Sequence, residues 1–192
     1  MKSIMYIHGY GSNGNATKGQ ILRKMLPQCK VVSPTFDYDH STPWTIQNQI
    51  RETVEKEEVK MIVGSSFGGY HTLCATAFFH GTVWVVNPVH DIETTIRRIF
   101  INSQSPLSSH FDVDFLDIYK DFNARIFYSQ VQLNQSGQWP ADTPLNFALS
   151  TDDELLGDHK PLLSLFPNHS RVVWKDDCGH RFLRFEELDI LS

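Results

Sequence analysis

The sequence predicts an α/β fold, a reduced three-layer arrangement in which a mostly parallel sheet of about six strands carries helices on both faces. Three observations lead there. Apolar runs of about four residues recur without polar alternation, as strands covered on both faces require. They alternate with longer segments of helical period, the rhythm of right-handed crossover units. Finally, 192 residues with 41% hydrophobic and 20% charged side chains make one domain that buries roughly 70% of its unfolded surface without a disulfide or metal staple.

The elements follow in order. Ile4 to Ile7 is the first strand and ends at His8-Gly9-Tyr10-Gly11-Ser12. After a Gly/Asn-rich loop, Lys18 to Leu26 sets Ile21, Leu22, Met25 and Leu26 at helical spacing and stops at Pro27. Val31-Val32 is a short strand closed by Pro34, and Trp44 to Glu57 is an amphipathic helix with Ile46, Ile50 and Val54 spaced by four. Lys60 to Val63 forms the third strand, residues 67 to 79 a buried helix, and Val83 to Val86 a strand stopped by Asn87-Pro88. The rhythm resumes with a strand at Leu145 to Leu149 and a helix at Glu154 to Phe166. A strand at Arg171 to Trp174 and a closing helix at Phe182 to Leu191 complete it. Residues 91 to 143 interrupt it: a helix around Ile92 to Ile101 gives way to polar loops holding Pro106, Gly137 and Pro140. Aromatics (Phe111, Phe115, Tyr119, Phe122, Phe127, Tyr128, Trp139) are scattered through them. About 50 residues hold no core of their own, so the expectation is a single domain over 1–192 with an insertion at about 91–143 over the active site.

Composition excludes several classes. A net charge of −5 and a pI near 5.9 argue against nucleic acid as a partner, which calls for a basic face. The three cysteines, Cys29, Cys74 and Cys178, have neither zinc-knuckle nor disulfide-framework spacing. No HExxH or His-x-His pattern points to a metal, and neither GxGxxG nor GxxxxGK[ST] is present, so no cofactor is expected. The first strand runs directly into His8-Gly9 without the apolar core of a signal peptide, and the longest apolar run falls far short of the roughly 20 residues of a membrane span. A cytoplasmic protein is the expectation.

Chemistry enters at Gly64-Ser65-Ser66-Phe67-Gly68, a G-x-S-x-G sequence set between an apolar strand and a helix. Glycines are needed two before and two after the nucleophile because the turn is crowded and a Cβ there would clash. That spacing selects Ser66 over Ser65, whose corresponding neighbours are Val63 and Phe67. A serine hydroxyl needs a histidine base and an orienting carboxylate, which in the α/β-hydrolase order follow the serine, acid first, each just beyond a late strand. Asp153 lies beyond the strand at Leu145 to Leu149, with Asp152, Glu154 and Asp158 as neighbours. His180 lies beyond the strand at Arg171 to Trp174. Asp153 is the preferred acid and Asp152 the alternative. The oxyanion hole is expected from the backbone N–H groups of Phe67 and Tyr10, whose side chains are then free to line an acyl pocket. His8 and Gly9 shape that loop.

The other histidines have quieter readings. His40, His110 and His169 are loop residues, His71 and His80 lie on the helix after Ser66, and His159 on the helix after Asp153. His90 and Asp91, after the fourth strand, are lesser candidates for the edge of the site.

His8-Gly9-Tyr10 with Ser12-Asn13, Val63-Gly64-Ser65-Ser66-Phe67-Gly68-Gly69-Tyr70, Val86-Asn87-Pro88, Asp153-Glu154 and Gly179-His180 together resemble the YqiA/YcfP-like group of small α/β-hydrolases. The resemblance runs from residue 4 to about 186 and is weakest over 91 to 143. It implies a compact hydrolase lacking the first two strands of the full fold and acting on acyl esters or thioesters, with Ser66, Asp153 and His180 as the triad. Phe67 stands where the group has Leu, Thr151-Asp152-Asp153 replaces Thr-Gly-Asp, and the insertion is longer.

The leading expectation is therefore a serine esterase or thioesterase working on a small-molecule acyl substrate through an acyl-enzyme. The same triad also serves peptidases and carbon–carbon hydrolases, and an inactive hydrolase fold used for binding is the reading from another class. Neither the acyl group nor the oligomeric state is readable from the sequence.

Overall fold

The computed structural model describes residues 1–102, 113–188 and 190. Its six strands are β1 (Ser3–Ile7), β2 (Lys30–Val32), β3 (Val59–Ser65), β4 (Thr82–Val86), β5 (Leu145–Ser150) and β6 (Arg171–Lys175). They form one sheet in the order β2-β1-β3-β4-β5-β6, and every pairing is parallel. Both faces are covered, which explains the unbroken apolar runs. Met5, Ile7, Ile62, Val85 and Phe147 face one core cluster, while Ile4, Tyr6, Met61, Val63 and Trp84 face the other. Each such side chain contributes about 1.5–3 kcal/mol by leaving water.

Helices α1 (Thr17–Met25), α2 (Pro43–Lys56) and α3 (Phe67–Ala75) follow the first three strands. The helix α2 starts where Thr42 accepts the Thr45 N–H at 3.2 Å and Pro43 occupies the first turn. Residues 67–79 were expected as one helix, but α3 ends at Ala75. The Thr76 hydroxyl donates to the Leu73 carbonyl at 2.6 Å and closes that end with a side-chain bond.

Three sequence expectations need correction. Glu154 to Phe166 is helical only over α7 (Lys160–Leu165). The Asp153 carboxylate captures the N–H groups of Leu155 and Leu156, and Gly157 sits at φ +78°, so residues 151–157 are a turn. His159 thus precedes α7 instead of riding on it. The closing helix is a single 3-10 turn, Phe185–Glu187. Phe182 has φ +41°, and Phe182, Phe185 and Leu188 all bury on the α1 side of the sheet, a clustering that reads as helical period in sequence.

The third correction concerns the stretch expected as polar loops. The helix expected around Ile92 is α4 (Ile92–Asn102), and residues 136–143 with Gly137 and Pro140 are loop as expected. The described residues between are helical, with α5 (Val113–Phe122), a π-helical turn (Asn123–Phe127) and α6 (Tyr128–Gln135). Buried Tyr119, Phe122, Phe127 and Val131 are spaced by three, five and four. The five-residue step across the π turn breaks the 3.6 period that a sequence reading looks for. The expected loop residues Pro106 and Phe111 lie outside the described residues, as does the Phe115 side chain.

Candidate active site

The carboxyl ends of the central strands converge on one point. Ser66 follows β3 in a turn at φ 56°, ψ −122°, immediately before α3. A non-glycine residue in that region costs about 1–3 kcal/mol and persists only where its surroundings hold it. Here they do: the Ser66 N–H donates to Val86 O at 2.9 Å, and its carbonyl accepts from Gly69, Tyr70 and Val89. The crowding expected of the motif is present. A Cβ on Gly68 would lie 2.3 Å from Ile7 O and 2.4 Å from His8 O, and one on Gly64 would lie 2.0 Å from Thr72 Oγ1.

From Ser66 a chain of hydrogen bonds runs to the loops after β6 and β5. Ser66 Oγ lies 2.8 Å from His180 Nε2, and His180 Nδ1 lies 2.9 and 3.1 Å from the two oxygens of Asp153. An ionised carboxylate only accepts, so His180 donates through Nδ1–H and leaves Nε2 free to accept from the Ser66 hydroxyl. The Asp153 side chain has no solvent exposure. Burial raises its pKa, but bonds from His159, His180 and the Leu156 N–H outweigh that and hold the carboxyl well below the usual range.

Asp152 and Glu154 take other places. Asp152 Oδ1 accepts the N–H groups of Cys178 and Gly179, and Glu154 Oε2 accepts that of His180 at 2.8 Å. They hold the backbone of the histidine loop while Asp153 takes the ring. Asn87 joins the three loops. Its Nδ2 lies within 3.0–3.2 Å of Ser150 Oγ, Gly179 O and His180 O, and its Oδ1 accepts the Ser150 N–H. A φ of 41° suits asparagine there better than most residues, so the Asn-Pro step after β4 was the readable signal.

The loop after β1 lies against Ser66: a Cβ on Gly9 would be 3.1 Å from Ser66 Cβ. His8 is fully buried; its Nε2 accepts the Phe36 N–H at 2.9 Å, so Nδ1 donates to Gly9 O at 2.8 Å. Burial lowers its pKa, and the ring is a neutral brace for the loop. Tyr10 and Phe67 side chains were expected to line an open pocket. Phe67 is instead 3% exposed, enclosed by Tyr38, His71 and Tyr119 at ring separations of 5.0–5.5 Å, while the Tyr10 hydroxyl donates to Asp39 at 2.6 Å.

The helical insertion is tied to α3. His71, which burial pushes down to about 3, bridges Gln47 and Tyr119, and Tyr70 donates to Asn123 at 3.1 Å. His90, placed by sequence at the site's edge, has its ring 6.1 Å from that of His159. His159 is a second histidine on the same carboxylate, with Nε2 2.9 Å from Asp153 Oδ2. Sequence reading missed it by placing it on a helix.

Lys18 was also missed. Its ammonium donates to Ser65 Oγ at 2.5 Å, on the residue before Ser66. Burial pulls its pKa down to about 8 against the opposing pull of Asp153. No sequence pattern marked it. Among the described residues, no group of three or more His, Cys, Asp or Glu is arranged to hold a metal ion, and no helix is long and apolar enough to cross a membrane.

Parallel strand order, elbow and converging loops define the α/β-hydrolase fold. Solved structures of that fold superpose over nearly the whole chain. An α/β hydrolase from a metagenome of lagoon sediments at Mar Chica, Morocco, is 16% identical with a TM-score of 0.68, covering 97% of this chain and 86% of its own. Est1E from Butyrivibrio proteoclasticus, solved with ferulic acid bound, is 12% identical at 0.69, covering 99% and 85%. A monoacylglycerol lipase from Paleococcus ferrophilus is 10% identical at 0.66, covering 98% and 92%. No curated protein matches the sequence significantly. The chain belongs to the uncharacterised protein family UPF0227, the YqiA/YcfP family, whose model matches residues 3–189.

Proposed function

We propose that this protein is a serine hydrolase of carboxylic esters or thioesters, with Ser66 as nucleophile, His180 as general base and Asp153 as the acid that orients it. The observation that carries the reading is the unbroken run of hydrogen bonds from Ser66 Oγ through His180 to a buried, ionised Asp153. Ser66 attacks the acyl carbon while its proton passes to His180 Nε2. The imidazolium, stabilised by Asp153, returns that proton to the leaving alcohol or thiol, and water releases the acid by the same route.

The developing oxyanion is stabilised by the Phe67 N–H, at the start of α3, and by the Tyr10 N–H of the loop after β1. Each such donor is worth about 3 kcal/mol in the transition state. With the Phe67 ring packed into the core, acyl selectivity falls to Tyr10 and to the described helices of the insertion, which meet α3 through Tyr119 and Asn123. Est1E with its bound ferulic acid and the monoacylglycerol lipase among the structural neighbours support this class of substrate, a small-molecule acyl compound.

Labelling with a fluorophosphonate probe and turnover of p-nitrophenyl butyrate test it together. Wild-type protein is expected to label and turn over, and Ser66→Ala to lose labelling and at least about 10³-fold in rate. Full turnover by Ser66→Ala, or an unreactive wild type, sinks the reading. A panel of acyl esters, acyl-CoA and aminoacyl substrates then separates ester from thioester and amide chemistry.

A further inference from the structure

Asp153 serves two histidines, and only His180 has a place in the mechanism above. Its Oδ1 is pinned by the Leu155 and Leu156 N–H groups at 3.0 and 2.8 Å. Its Oδ2 has no backbone donor among the described residues and is held by His180 Nδ1 and His159 Nε2, both at 2.9 Å. The His159 side chain is completely buried. Its Nδ1 meets no partner among the described residues, so a proton there would be buried without an acceptor; the ring is neutral and donates through Nε2–H. A half-satisfied imidazole in the interior costs stability that a phenyl or isobutyl group of similar bulk would not. Its return lies at the carboxylate.

We propose that His159 is a positioning residue: its Nε2–H fixes the Asp153 carboxylate at the oxygen that it shares with His180 and draws off part of the charge that His180 feels. This rests on the serine-hydrolase reading and adds to it. His180 gains and loses a proton in each catalytic cycle, so its bond to Oδ2 changes strength, whereas the His159 bond does not. The carboxylate therefore keeps its plane while the imidazolium forms. Sharing Oδ2 also lessens the stabilisation that Asp153 can give that imidazolium. The charged and titratable groups around His159 are Asp153, the neighbouring His90 with Asp91 beyond it, and Asp158. Asp152, Glu154 and Lys160 line the pocket on its α7 side.

His159→Leu, His159→Gln and His159→Asn, each checked for folding by circular dichroism, test the assignment through the pH profile of kcat/KM on p-nitrophenyl butyrate. Glutamine sets an amide N–H near the Nε2 position; asparagine is too short to reach Oδ2. For His159→Leu the expected result is a roughly tenfold fall in kcat from a loosened carboxylate. The midpoint of the acid limb should rise by about half a pH unit to one. His159→Gln should restore most of both, and His159→Asn should behave like the leucine variant. If His159→Leu fails to fold, the glutamine–asparagine difference carries the test. An unmoved midpoint, or glutamine and asparagine variants that behave alike, overturns the proposal and leaves His159 a packing residue. Failure of the serine-hydrolase reading itself is seen separately, as absent fluorophosphonate labelling of the wild type.

Discussion

Lys18→Met is expected to stabilise the fold, and by an amount that depends on pH. In the native state the ammonium lies largely buried beside Ser65, and its pKa falls from 10.5 to about 8. Each pKa unit is about 1.4 kcal/mol, so the charged form costs the fold about 3 kcal/mol. Partial exposure of the side chain trims this to about 2–3 kcal/mol. The sign follows from proton counting. Between pH 8 and 10.5 the unfolded chain binds the proton more tightly than the native state, so stability rises with pH through that window and the full cost applies below it.

Methionine fills a similar volume without the charge and gives up one hydrogen bond to Ser65. At pH 7 the variant should gain about 1–2 kcal/mol, roughly 2–8 °C in Tm for a chain of this size. The advantage should fade toward pH 10.5. Urea unfolding of both proteins at pH 7 and pH 10.5 measures it, and the difference between them removes the contributions of other titrating groups. A Lys18→Met variant less stable than wild type at pH 7, or a difference that is the same at both pH values, would refute the reasoning.

Three further outcomes are expected. Ser66→Gly should raise stability by about 1 kcal/mol in thermal unfolding, because glycine accepts φ 56° without the strain that Ser66 carries; Ser66→Ala should bring no such gain. Gly68→Ala drives a Cβ to 2.3 Å from a backbone carbonyl of β1 and should cost at least about 3 kcal/mol, read as loss of soluble folded protein or a sharply lowered denaturation midpoint. Asp153→Asn should lower kcat by about 10³–10⁴ by favouring the wrong His180 tautomer. Asp152→Asn, at a carboxylate that accepts the Cys178 and Gly179 N–H groups, should change kcat less than about fivefold in the same assay.

The sheet was legible because its signal is local. Apolar runs such as Ile4–Ile7 and Val83–Val86 leave few alternatives once both faces must be dry, and the all-parallel order of six strands follows from crossovers of one hand. The elbow was legible for a similar reason: glycine at 64 and 68 is demanded by backbone a few residues away and by β1 lying alongside. Element ends were harder to read. The helix expected from Glu154 yields to a turn because Asp153, a side chain, captures two backbone donors, and the helices of the insertion hide behind a π turn that shifts their period.

Residue identity at 66, 153 and 180 narrowed the chemistry to a few candidates, and the choice between Asp152 and Asp153 needed the fold. Both carboxylates sit in one short stretch of chain. Which of them meets an imidazole 27 residues away depends on the path of two loops and on Asn87 between them. Lys18 and His159 carry the same lesson further. A lysine in a helix and a histidine before one have no pattern of their own. Their significance comes from burial and from the oxygen atoms that the fold sets beside them, Ser65 on a distant strand for Lys18 and Asp153 across a turn for His159, because electrostatic cost and hydrogen-bond geometry exist only once distance in space replaces distance along the chain.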